Sequence, residues 1–360
     1  MYVPPPMESQ PYAPQAVSAA WVDPVAARRL LLEVKAKKLL RRTSNGLGLA
    51  LLMLSVVPAL WELSISASLP HLIGYFSDDP TGQLVFQIAA TVPLFLGFFS
   101  LAVYIGGRRF RDVVAVRRVK PALALAFVGI CLAALQLGDV ATGLLNSLLG
   151  ALGVHTNQPG FNPPSGVPGS LFYLFTVAVV PAFVEEYAMR GAAFGLLRRF
   201  GPGFAILASA ILFGSMHGNF VQAPFAFVGG LALGASVYVC KSVWPAVIAH
   251  FLNNAFSCLF DIFPHMSGPV YAAMSDIGPA LFLLWGILGA AYLSRRHADC
   301  LRPEPSAPAA PAWYGGGTEE VQTVAEWPLR VKMEVFFTSP LMIIALLMFL
   351  LNAILLVGVL

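Results

Sequence analysis

Nine apolar stretches run along this chain of 360 residues, and each approaches the length of about 20 residues that a helix needs to cross a bilayer. Within lipid, every backbone N–H and C=O must be paired inside the protein, so only helices and closed barrels can span it. Continuous stretches of this length favour helices, and we place them at 46–68, 83–106, 121–140, 170–197, 203–218, 220–240, 242–263, 278–294 and 338–360. The sequence therefore predicts an all-α, polytopic transmembrane helix bundle, with about eight core spans and one appended C-terminal span.

The composition supports a membrane protein and excludes an ordinary soluble domain. The chain is 58% hydrophobic and 11% charged, whereas a soluble domain carries about 25% charged residues. Its formal net charge of +4 is too small to indicate a nucleic-acid partner, so the lipid bilayer is the expected partner. The four cysteines lack the CxxC spacing of a zinc site, and we interpret them as packing residues or lone thiols.

The segments outside the spans differ in character. Residues 1–23 are rich in proline and are predicted to be a disordered tail, and 24–42 is predicted to be a basic amphipathic helix. This helix either lies on an anionic membrane surface or is a solvated helix beside the membrane. Residues 46–294 form the expected transmembrane domain, with the chemistry concentrated in 170–263. A linker rich in Pro, Ala and Gly is predicted over 297–337, before the last span.

The basic residues predict the orientation. All 22 Lys and Arg lie in the clusters 28–42, 108–120, 190–199, Lys241, 295–302 and 330–332. The intervening loops carry no basic residue, namely 69–82, 155–169 and 264–277. Because cytoplasmic loops are enriched in Lys and Arg, we expect a cytoplasmic N-terminus and an outer C-terminus. We also expect a bacterial inner membrane, and a site reached from the cytoplasmic half of the bilayer.

Ionisable side chains inside a membrane face a bundle interior or a water cavity, and they are functional candidates by default. The fourth span contains Glu185, Glu186 and Arg190. Glu186 and Arg190 are four residues apart, so they lie on one helix face and are expected to form an ion pair. Glu185 is rotated by about 100° from Glu186 and points elsewhere.

The fifth and seventh spans contribute further polar residues. His217 ends the fifth span, while His250 and Asn254 share one face of the seventh, and Asn253 is a weaker candidate for that face. By helical rise, Glu185, His217 and Asn254 lie roughly 20 Å from their cytoplasmic ends and His250 about 14 Å. We therefore expect these side chains to meet.

The chemistry that fits this set is hydrolysis. A buried glutamate can act as general base on water, and histidine can share the proton or bind a metal. Asparagine is a neutral donor suited to an oxyanion. Zn²⁺ is the possible cofactor, with Glu185, His217 and His250 as candidate ligands and a fourth position for water. The same residues could also act without a metal, as a general base and an oxyanion hole, and we favour this interpretation.

Three motifs stand in order along the chain: EEYAMR (EExxxR), FGSMH (FxxxH) and HFLNN (HxxxN). Together they resemble the CPBP family of intramembrane proteases, which includes type II CAAX prenyl endopeptidases and bacteriocin-processing and self-immunity relatives. The resemblance implies a helical bundle that hydrolyses peptide bonds within the membrane. It implies that Glu185 activates water with His217 beside it. By the same resemblance, His250 and Asn254 orient the scissile carbonyl and stabilise the oxyanion, with Glu186 and Arg190 supporting them from behind.

The substrate class is less constrained by the sequence. We expect the substrate to be a membrane-associated peptide or protein. The sequence is typical of a bacterial protein, and prenylated CAAX proteins are not expected as substrates in bacteria. Two other classes remain open at this point. One is a non-enzymatic immunity or scaffold protein with the same buried site. The other is a proton-coupled transporter, which inverted repeats would favour, although none is visible.

Overall fold

The computed structural model describes residues 23–69, 74–76, 78–156, 160–263, 268–297 and 318–359, so the predicted tail lies outside the described residues except for Asp23. The helices are α1 (Pro24–Ser68), α2 (Pro80–Ile105), α3 (Phe110–Val113), α4 (Pro121–Ala151), α5 (Gly166–Phe200), α6 (Pro202–Met216), α7 (Gln222–Cys240), α8 (Trp244–Ile262), α9 (Gly268–Arg296), α10 (Glu319–Glu326), α11 (Leu329–Phe337) and α12 (Pro340–Leu355). Two short strands, β1 (Val154–Thr156) and β2 (Val357–Val359), pair antiparallel. The all-α class is confirmed.

The structure does not confirm the predicted number of eight core spans. Six of the described helices, α1, α2, α4, α5, α7 and α9, are long and apolar enough to cross a membrane. Helices α11 and α12 qualify only as a pair, which is bent by 77°. Helix α6 has 15 residues and is short for a span, as its sequence indicates. Helix α8 has 19 residues, but its histidine, asparagines and Asp261 lower its hydropathy.

Helix α1 corrects the prediction of a separate basic helix over 24–42. It is one unbroken helix of 45 residues that includes the polar sequence Thr43-Ser44-Asn45-Gly46. These side chains have partners that keep the helix continuous. The Thr43 hydroxyl donates to the Leu39 carbonyl one turn earlier, and the Ser44 hydroxyl donates to the Phe336 carbonyl of α11. The tertiary contact overrides the tendency of such residues to end a helix.

The C-terminal segment is not the appendage that the sequence suggests. In α12, Met342 and Ala345 are fully buried and belong to the main hydrophobic core. The helix can approach α1 closely because α1 has a glycine at the contact: a Cβ at Gly48 would lie 2.5 Å from the Met342 backbone nitrogen. The second half of the predicted linker is also folded, as α10 and α11. The last span is therefore part of the bundle.

Small residues set the packing of α4 against α9 as well. A Cβ at Gly286 would lie 2.3 Å from the Ala133 Cβ, and one at Gly289 would lie 2.5 Å from the Ala126 carbonyl oxygen. Glycine at these two positions lets the backbones approach, which is the usual way for helices to associate in lipid. This packing closes the bundle behind the polar residues of α5, α6 and α8.

Candidate active site

A cavity of about 720 Å³ lies among α2, α4, α5, α6, α7 and α8. All four residues that the sequence predicts to be catalytic line it, namely Glu185 on α5, His217 after α6, and His250 and Asn254 on α8. Three separate helices thus bring their polar groups to one space. The convergence expected from helical rise is found in the structure.

Glu186 and Arg190 form the ion pair that their spacing predicts. Arg190 Nη1 donates to Glu186 Oε1 at 2.8 Å, and the two side chains are 1% and 0% exposed. The same Glu186 oxygen lies 2.9 Å from His250 Nδ1. This second contact joins α5 to α8, and no sequence pattern signals it. Glu186 therefore does more than neutralise Arg190, because it also fixes the ring of His250.

Glu185 faces the cavity rather than the ion pair. Its side chain is 16% exposed, and its Oε2 lies 3.9 Å from His250 Nε2. That distance is too long for a direct hydrogen bond, but one water molecule can bridge it. Because a carboxylate can only accept hydrogen bonds, His250 Nδ1 is protonated and donates to Glu186. In the neutral ring, Nε2 then presents its lone pair toward Glu185.

His217 is held by the end of its own helix. Its Nδ1 lies 2.8 Å from the Phe213 carbonyl oxygen, one of the last four carbonyls of α6, which lack regular helical partners. Since a carbonyl only accepts, Nδ1 is the donor and Nε2 is the free nitrogen. Gly218 follows with φ +60°, the left-handed conformation that terminates helices. The histidine is thus fixed at the turn where α6 stops.

Phe213 links both histidines to the buried arginine. Its ring makes edge contacts with His217 and His250, at centroid distances of 5.2 and 5.9 Å. The Arg190 guanidinium carbon lies 4.2 Å from the ring centroid, within the range of a cation–π interaction. The sequence favours Phe213 as a packing residue. The structure adds that what it packs against is the site itself.

Asn254 is positioned by a proline on α5. Its Nδ2 donates to the Val177 carbonyl at 3.3 Å. In α-helical geometry the partner of that carbonyl would be the N–H of residue 181, which is Pro181 and has none, and α5 is π-helical over Phe175–Val179 at this point. The proline spaced four residues after Val177 is the sequence signal for this contact. Asn253 lines the same cavity and donates to Asn254 Oδ1 at 3.4 Å. It therefore belongs to the site, although its position on the helix made it the weaker candidate.

The candidate metal ligands do not form a ligand group. Over the part of the chain that the structure describes, no three His, Cys, Asp or Glu side chains come together as a group that could hold a metal ion. His217 has one ring nitrogen committed to a carbonyl and His250 has one committed to Glu186. These hydrogen bonds leave Nε2 of each ring available, as in histidines that bind a metal. It is the spacing of the Glu185, His217 and His250 side chains that does not fit a three-ligand zinc site.

The cavity also has polar walls that the sequence motifs do not mark. Tyr173 donates its hydroxyl proton to Asp261 Oδ2 at 2.8 Å, which joins α5 to α8 beyond the histidines. Asp139 of α4 and Gln87 of α2 line the cavity too. These residues belong to no motif, and only the packing of four helices brings them to one space.

Comparison with known proteins bears on the segment that contains this site. Residues 167–256 match the family model of the type II CAAX prenyl endopeptidase Rce1-like proteins. No curated protein and no solved structure matches the chain. The matched residues contain all three motifs and every catalytic candidate. The segment of residues 167–256, which contains the site, is therefore similar to the type II CAAX prenyl endopeptidase Rce1-like family, which confirms the resemblance to the CPBP family.

Proposed function

We propose that the chain is an intramembrane endopeptidase that hydrolyses peptide bonds of membrane-associated proteins or peptides. The observation that carries this proposal is the position of Glu185, whose carboxylate lines the cavity 3.9 Å from a histidine nitrogen. A carboxylate and an imidazole separated by one water molecule are the groups that water activation needs. The Rce1-like domain supports the same reaction class.

In the proposed reaction, water lies between Glu185 and the two histidines. His217 Nε2 accepts a hydrogen bond from it, and Glu185 takes its proton as the hydroxide oxygen attacks the scissile carbonyl carbon. Glu185 then passes the proton to His250 Nε2. The doubly protonated ring donates to the oxyanion and gives the proton to the leaving nitrogen as the C–N bond breaks.

Asn254 and Glu186 act on this sequence from two sides. Asn254 uses one Nδ2 proton to bond the Val177 carbonyl, so its second proton is available to the oxyanion. Glu186, bonded to His250 Nδ1 and Arg190, holds the ring with Nε2 toward Glu185. Each proton in the cycle has a protein atom to hold it, and no step requires a metal.

The substitution that tests this proposal is Glu185→Gln, which keeps the shape of the side chain and removes its basicity. A general base contributes about 10²–10⁴ in rate. We therefore expect purified Glu185→Gln to lose that factor in kcat against a panel of membrane-anchored peptides, with unchanged yield. Glu62→Gln on the exposed part of α1 is the matched control and should cleave normally. Near-normal cleavage by Glu185→Gln would overturn the assignment.

No contact in the described part of the chain favours the non-enzymatic alternative. A binding protein needs neither a fixed histidine tautomer nor a carboxylate one water away from it. The same panel separates the two functions, because an immunity or scaffold protein would cleave none of the peptides as wild type.

A further inference from the structure

The two ends of the bundle differ in charge, and the structure brings each kind of loop to one face. At the basic end, Arg199 Nη2 donates to Thr43 Oγ1 at 2.9 Å and to the Gly106 carbonyl at 3.1 Å, which joins α5 to α1 and α2. Val116 and Ser242 form a β-bridge that ties the segment before α4 to the segment before α8. The basic clusters of these described segments therefore lie on one face.

The loops without basic residues meet at the opposite face. There β1 pairs with β2, and the Thr142 hydroxyl of α4 donates to the Val221 carbonyl before α7 at 2.9 Å. The sequence segments 69–82, 155–169 and 264–277 adjoin helices whose other ends carry the basic clusters, and they contain no Lys or Arg. Because cytoplasmic loops are enriched in these two residues, this end is the non-cytoplasmic one.

The cavity extends from the level of the catalytic candidates toward the non-cytoplasmic end of the bundle. On α8, its walls run from His250, about 9 Å along the helix from Trp244, to Asp261, about 26 Å along. On α4 they reach Asp139, about 27 Å from Pro121 by the same rise. A hydrocarbon core is about 30 Å thick, so the cavity extends from the catalytic level to the outer interface.

The walls nearest that interface indicate that water enters there. Gly160 and Phe161, in the segment between β1 and α5, line the cavity. The carboxylates of Asp139 and Asp261 line it too, and ionised groups are costly in lipid unless a hydrated space receives them. None of its lining residues comes from the basic face.

We propose that substrates reach the site from the non-cytoplasmic side of the membrane. The substrate class is then a membrane-anchored or exported polypeptide whose scissile segment emerges at the outer leaflet. A lipid-modified C-terminus displayed on the cytoplasmic leaflet would meet the basic face, which contributes no residue to the cavity lining. This proposal differs from the expectation of access from the cytoplasmic half, and its substrate class rests on the proposed protease function.

Thiol labelling tests the access without depending on activity. In a background with the four cysteines replaced, Phe161→Cys places a thiol at the cavity wall and Arg117→Cys places one at the basic face. A membrane-impermeant maleimide should label the first in right-side-out vesicles of the expressing cells and the second in inverted vesicles only. Labelling of Phe161→Cys from the cytoplasmic side, or of both positions from one side, would refute the proposal. Detergent should expose both thiols, and Gly160→Cys with Arg111→Cys is the reserve pair if either variant fails to fold.

A cleavage assay then separates this proposal from the protease function itself. Modified Phe161→Cys should lose most of its cleavage of a membrane-anchored peptide displayed outside, while modified Arg117→Cys should keep it. If only peptides displayed on the cytoplasmic side are cleaved, the access proposal fails and the protease function stands. If no displayed peptide is cleaved even in detergent, the protease function fails, and the labelling result decides the access on its own.

Discussion

The part of the bundle at the basic face and the part that contains the cavity both bury charged side chains, but they use them differently. At the basic face, Arg199 donates to a hydroxyl and a carbonyl, and Lys332 donates to the Phe200 and Ala325 carbonyls at 2.8 and 2.7 Å. Around the cavity, His250 lies between Glu185 and Glu186, with one ring nitrogen toward each carboxylate. Charges of the first kind join backbone segments, whereas those of the second kind can exchange protons. Substitutions should therefore change stability in one part and rate in the other.

The largest effect on rate after Glu185 is expected at His217. His217→Ala removes the acceptor that orients the water, and we expect a loss of about 10³ in kcat with normal yield. Asn254→Ala should be milder, about 10², because it removes one oxyanion donor. The control is His155→Ala, an exposed histidine of β1 that should cleave normally. Equal losses at His217 and His155 would contradict the role assigned to His217 in the cavity.

Glu186 sharpens the comparison because its charge both stabilises the fold, through Arg190, and contacts a catalytic candidate, His250. Glu186→Ala leaves Arg190 buried without its partner, which costs about 3–5 kcal/mol of stability. It also frees His250, so the surviving protein should cleave more slowly. Yield and thermal midpoint in detergent measure the loss of stability, and kcat of the folded, detergent-purified protein measures the slower cleavage.

The matched control for Glu186 is another pair at i,i+4 spacing on one helix. Arg29 and Glu33 of α1 lie 3.8 Å apart and are largely exposed. Glu33→Ala should change stability by less than about 1 kcal/mol, as for exposed pairs generally. A Glu186→Ala variant as stable as Glu33→Ala would contradict the burial argument.

A smaller effect is expected at the basic face. Lys332→Met keeps the apolar stem and removes the two hydrogen bonds to carbonyls, each made by a charged donor. We expect a loss of about 2 kcal/mol of stability, seen as a lower thermal midpoint. Below that midpoint kcat should match wild type. A slower enzyme of unchanged stability would mean that the basic face takes part in catalysis.

The smallest effect is expected from metal removal. Because Glu185, His217 and His250 do not form a ligand group, a high-affinity hydrophilic chelator should leave cleavage unchanged. Elemental analysis of the purified protein should find no stoichiometric zinc. About one zinc per chain, lost in both His217→Ala and His250→Ala together with activity, would overturn the metal-free reaction.

Some features of the site depend on the geometry of a single helix, and these could be predicted from the sequence. The Glu186–Arg190 pair and the separate direction of Glu185 depend on a rotation of about 100° per residue, which is local. The depth of each polar residue also follows from rise along its own helix, so their meeting at one level was predictable. The hydrogen bond between Glu186 and His250 was not, because it depends on how α5 and α8 are rotated toward each other.

Local periodicity by itself determined that this chain spans a membrane, which loops carry its basic charge, and which polar residues share a helix face. Only the tertiary structure decided that α12 packs into the core, that α1 continues through Thr43 and Ser44, and that the cavity extends away from the basic face. The physical reason is that spans and faces follow from the geometry of single helices. Cavities and packed ends instead depend on close contacts such as Gly48 against Met342, which form between segments nearly 300 residues apart and leave no periodic signal in either one.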